Sequence, residues 1–147
     1  ALPPLVGWVA AAGSPTTYGW ILFGILFAWQ LPHFMAIAWN FRKDYTKGGF
    51  KLHQFGASDG KDLSRKSLIY TFLLTLLVFA PYFIEIGQSS PGVFYFCSAV
   101  VLSIYMIVAA IRFFLSSNRD FYSKKLFIVT IIYLPLLFSA LVIDRYL

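Results

Sequence analysis

The stretch YGWILFGILFAWQLPHFMAIAWNF, residues 18 to 41, decides how the rest of the chain is read: it runs for 24 residues without a charged side chain. A helix needs about 20 mostly apolar residues to cross a hydrocarbon core of about 30 Å. This one can span a bilayer with some tilt. It ends in RKDYTKGG, residues 42 to 49, an abrupt cluster of charge and glycine. Its few polar side chains are ordered: Gln30, His33, Asn40 and Asp44 fall at offsets of 0, 3, 10 and 14 residues. In one continuous helix of about 3.6 residues per turn those offsets share a face. Such a face is expected to look into protein or a water-filled cavity, and Pro32 is expected to loosen the helix beside Gln30 and His33.

The composition agrees with a membrane solvent. Of 147 residues, 59% are hydrophobic and 12% charged, against about 25% charged in a soluble domain, so the apolar surface is too large to hide from water. The expected fold is all-α, a polytopic transmembrane helix bundle. Its expected spans are 18–41, 68–87, 93–115 and 126–143, preceded at residues 1–12 by the end of another. Pro3 and Pro4 suit a helix start, and Gly13, Ser14 and Pro15 form an uncharged turn.

Charge sets the orientation. The connector 42–67 holds Arg42, Lys43, Lys47, Lys51, Lys61, Arg65 and Lys66, and the connector 116–125, with the helix end before it, adds Arg112, Arg119, Lys124 and Lys125. Only Arg145 is left for the other side, so the positive-inside rule makes the loop 42–67 cytoplasmic. A net charge of +6, confined to connectors, describes topology and gives no basis for nucleic-acid binding. Cys97 stands alone, which excludes an intrachain disulfide or a thiolate metal site.

The candidates for chemistry follow from this layout. His33 is the titratable group well inside a span, where ionisable residues are costly enough to suggest function. Two readings of it stay open: a site residue, or a neutral imidazole tying two helices together. Asp44 leaves the membrane beside Arg42, Lys43, Tyr45 and Lys47. A carboxylate among cations suits a phosphate held with a hard divalent ion, and it equally suits a basic anchor with one counter-charge. Asp59 and Asp62 are either a second carboxylate pair or a turn leading into a helix, and His53 lies in the same long loop. Phe23, Phe27, Phe34, Trp39, Tyr70, Phe72 and Phe79 are candidates to line an apolar cavity or simply to pack.

Three blocks carry a resemblance. ALPPLVGW at residues 1–8, WQLPHFMAIAW at 29–39 and KDYTKGGF at 43–50 are similar, in order and approximate spacing, to the second half of the protohaem IX farnesyltransferase (haem O synthase) family in the UbiA prenyltransferase superfamily. The run WQ-x-PHF followed by DY-x-x-GG is its specific part. The resemblance implies a nine-helix UbiA-type fold, of which this chain supplies the C-terminal part, from the end of the fifth helix onward. It implies transfer of a farnesyl group from farnesyl diphosphate to a vinyl group of protohaem IX, with water adding, to form haem O in the cell (inner) membrane. It implies Mg²⁺ on the diphosphate, with haem A synthase as a partner. By position, Asp44 would serve catalysis and hold the metal, with Tyr45 and His33 in catalytic roles. Arg42, Lys43 and Lys47 would meet phosphate, while Gln30 and Asn40 would complete the substrate contacts.

The family's principal N-x-x-x-D-x-x-x-D metal motif is not in this chain, and Asp44 stands without the paired Asp common in this loop. The isolated chain is therefore expected to be inactive. Two alternatives are a UbiA-type enzyme with another aromatic acceptor and a transporter or channel module built around a midplane histidine.

Overall fold

The computed structural model describes residues 1–49, 60–83 and 91–147. His53, Asp59 and Glu85, with Lys51 of the basic connector, lie outside the described residues. All regular structure among the described residues is helical: α1 (Leu2–Ala12), α2 (Thr17–Asn40), α3 (Arg42–Lys47), α4 (Lys61–Phe83), α5 (Val93–Leu115) and α6 (Arg119–Asp144). Four of these, α2, α4, α5 and α6, are long and apolar enough to cross a membrane.

Local chemistry sets the helix ends. Pro3 and Pro4 sit in the first turn of α1, where a missing N–H costs nothing, and Gly13 closes that helix at φ 77°. Asn118 caps α6 by accepting the Phe121 N–H at 3.3 Å. The helices α4 and α6 begin earlier than the apolar runs at 68 and 126, because their first turns are polar and still helical. Asp62 and Lys66 pair at 2.6 Å one turn apart in α4. Pro32 does not interrupt α2, which stays helical from Thr17 to Asn40 with Pro32 buried.

The four long helices form a ring, α2 against α4, α4 against α5, α5 against α6 and α6 against α2, with α1 packed on α2. Their inner faces repeat every three or four residues: Thr71, Leu74, Val78 and Pro81 on α4; Tyr95, Ala99, Ser103, Met106 and Ala110 on α5; Ser123, Leu126, Thr130, Tyr133 and Leu137 on α6. That alternation is the seam of left-handed packing. Small residues recur in it, among them Ala28, Ala36, Ala99, Ala110 and Ala140. In lipid, burial gives little drive between helices, and close backbone approach at small residues supplies the contact instead. Large apolar side chains such as Leu76, Val101 and Ile128 point outward. Cys97 is exposed.

The two ends of the ring are tied differently. Asp144 at the end of α6 accepts the backbone N–H of Tyr95 at 3.0 Å and that of Gly92, so it caps α5 from another helix. At the opposite end, the start of α6 meets the end of α2. There Gly60, at φ +70°, lies so close to the Trp39 ring that a Cβ would fall 2.1 Å from it.

Candidate functional site

Polar side chains of α2 meet those of α6 in a row of three tiers. At the cytoplasm-facing end expected from charge, Arg42 pairs with Asp120, with contacts of 2.8 and 3.0 Å to its two carboxylate oxygens. The Trp39 indole N–H donates to the same carboxylate at 2.8 Å, while the Arg42 guanidinium stacks 4.2 Å over the Trp39 ring and donates to the Trp39 carbonyl at 2.9 Å. One tier deeper, the Ser123 hydroxyl lies 2.8 Å from Asn40 Oδ1 and 3.1 Å from the Ala36 carbonyl. Deepest, His33 Nδ1 lies 2.8 Å from the Thr130 hydroxyl, and the Trp29 indole N–H donates to the Thr130 carbonyl at 2.8 Å. The His33 ring stacks on Trp29 at 4.7 Å and on Phe127 at 5.3 Å.

The α6 partners Asp120, Ser123, Phe127 and Thr130 sit at offsets of 0, 3, 7 and 10 residues, one helix face. This face is hard to see in the sequence because Asp120 reads as connector charge and a lone Ser or Thr in an apolar helix is ordinary. The spacing was the available signal.

Of the expected site residues, His33, Asn40 and Arg42 join the row. Gln30 is half-buried beside it and makes no hydrogen bond to a described residue. Asp44 does not continue the α2 stripe. The helix ends at Asn40, and Phe41, at φ −103° and ψ 14°, starts α3 on a new axis. At the break the Phe41 N–H still closes the helical bond to the Ile37 carbonyl at 2.9 Å, while the Arg42 side chain takes the Trp39 carbonyl, the acceptor that the Lys43 N–H would use in a continuing helix. Asp44, Lys43, Tyr45 and Lys47 are exposed on α3. Arg42, expected on phosphate, is paired with Asp120. Phe27, Phe34 and Phe72 are about half exposed, and the Phe34 ring lies 5.7 Å from that of His33.

No group of three or more His, Cys, Asp or Glu side chains suited to a metal is found among the described residues. Mg²⁺ prefers six oxygen ligands in a near-octahedral shell, and Asp44 offers one exposed carboxylate. The described residues therefore do not make a Mg²⁺ site by themselves.

A helical membrane protein with a polar row running from one membrane face into its depth is the class that this geometry defines. A model of the UbiA prenyltransferase family matches residues 1–140, and the chain belongs to that family. Its relatives include protoheme IX farnesyltransferases of Opitutus terrae, 41% identical over 99% of this chain and 48% of the relative, of Koribacter versatilis, 34% over 99% and 47%, and of Gloeobacter violaceus, 38% over 98% and 46%. The chain thus spans about half the length of the curated relatives it matches. No solved structure matches it.

Proposed function

We propose that this chain is the C-terminal part of a UbiA-type domain and supplies one wall of a farnesyltransferase site that converts protohaem IX to haem O. The observation that carries the reading is the α2–α6 row, which joins a charged membrane face to an aromatic-walled imidazole at depth. Relatives named protoheme IX farnesyltransferase, 34% to 41% identical over nearly the whole chain, support this choice of donor and acceptor.

In this reading the exposed α3 meets the diphosphate. Lys43 and Lys47 draw charge from the leaving group as the bond to the farnesyl C1 breaks. The aromatic residues about His33 shelter the carbocation-like centre that the vinyl group attacks, and water then adds. Asp44 would contribute one carboxylate toward Mg²⁺, whose other ligands would come from outside the described residues. The site opens to the cytoplasmic face of the cell membrane, the side of loop 42–67, and haem A synthase is the partner that takes the product.

The test is Asp44→Asn in the full-length protein, scored by haem O formed per inserted protein. A fall of about tenfold or more is expected on loss of a phosphate- or metal-facing carboxylate, with insertion intact. Unchanged haem O formation removes Asp44 from the site. A product of different mass, made only when another aromatic acceptor is supplied, would replace the acceptor in this reading.

A further inference from the structure

The row leaves one strong acceptor unused. Thr130 is fully buried, and its hydroxyl oxygen lies 2.6 Å from the Phe127 carbonyl and 2.8 Å from His33 Nδ1. A hydroxyl has a single hydrogen and a carbonyl can only accept. Turned toward His33, that hydrogen would leave two oxygens facing each other lone pair to lone pair at 2.6 Å. Given to Phe127, it leaves the Thr130 oxygen free to accept, and Nδ1 must be the donor. A neutral imidazole protonated on Nδ1 carries a bare lone pair on Nε2. Stacking on Trp29 and Phe127 holds the ring, and Thr130 also fixes Trp29 through its own carbonyl. Nε2 makes no hydrogen bond to a described residue.

We propose that Thr130 is a positioning residue that locks His33 in the Nδ1–H tautomer, so that Nε2 serves as a ligand for the iron of a metalloporphyrin bound at this depth. A neutral imidazole nitrogen whose partner N–H is hydrogen-bonded is a strong ligand for such an ion. The proposal rests on the reading of protohaem as acceptor, but the tautomer does not.

Two measurements on the full-length protein separate them. The first is ¹⁵N NMR of histidine-labelled protein, with the His33 signals assigned as those lost in His33→Gln. We expect Nδ1 protonated and Nε2 bare in the wild type and in Thr130→Ser, and loss of that preference in Thr130→Val. A wild-type Nε2–H form, or an unchanged tautomer in a folded Thr130→Val, overturns the proposal; the wild-type spectrum decides even where Thr130→Val does not fold. The second is titration with ferric protohaem IX followed at the Soret band. A histidine-ligated spectrum is expected in the wild type and Thr130→Ser, with affinity about tenfold weaker in Thr130→Val and the ligated spectrum absent in His33→Gln. An identical spectrum in His33→Gln overturns the iron ligation and leaves the tautomer standing.

Discussion

Asp120 shows how little a single residue discloses before its neighbours are known. In sequence it follows Arg119 in a basic connector, whereas in the fold it holds Arg42, Trp39 and through them the end of α2. Its side chain is 58% exposed and that of Arg42 31%, so the ion pair itself contributes on the order of 0–1 kcal/mol. A double-mutant cycle on Arg42→Gln and Asp120→Asn, read by unfolding in detergent, is expected to give a coupling of about 0.5–1 kcal/mol. A coupling of zero would mean that the pair does not register the two helices. His33 was legible as a site candidate from burial cost alone, while its partner Thr130 was not, because a threonine in a membrane helix satisfies itself through the preceding turn as readily as through a neighbour.

At the scale of elements, the spans could be read from hydropathy but their packing faces could not. Apolar residues surround each helix, since both lipid and core accept them, so amphipathicity carries almost no signal. The faces are marked instead by small residues at three- and four-residue spacing. Hydropathy sets the starts of α4 and α6 late because it sees the bilayer and not the polar turns beyond it. The break at Phe41 coincides with capture of the Trp39 carbonyl by the Arg42 side chain, which no local propensity records.

Glycine geometry gives a sharp test at this scale. Gly49 and Gly60 share a positive φ, 80° and 70°, but a Cβ at Gly49 meets nothing within 4 Å while one at Gly60 strikes the Trp39 ring. Gly49→Ala should cost about 1 kcal/mol of strain, and Gly60→Ala about 1–3 kcal/mol more from the displaced ring, as measured by thermal unfolding. Equal losses would place Trp39 elsewhere. Asp144→Ala should cost about 1 kcal/mol by uncapping α5 and speed hydrogen exchange at the Gly92 and Tyr95 amides, leaving the Trp39 end protected.

Seen as a whole molecule, the ring has one end held by Arg42 and Asp120 and the other by Asp144 on the first turn of α5. Each interhelical hydrogen bond in the row adds only about 0.6 kcal/mol in a membrane setting. Packing of the ring therefore carries stability, and the row fixes the register of α2 against α6. Since no metal-ligand group assembles among the described residues, the 147-residue chain alone is expected to form no haem O in membranes supplied with farnesyl diphosphate and protohaem IX. The most direct measurement of the central claim compares the full-length protein with its His33→Gln variant by mass spectrometry of the haem product. Haem O from the wild type, falling about tenfold or more in the variant at equal membrane insertion, is the expected result; equal haem O from both would contradict the claim that this row is a wall of the site.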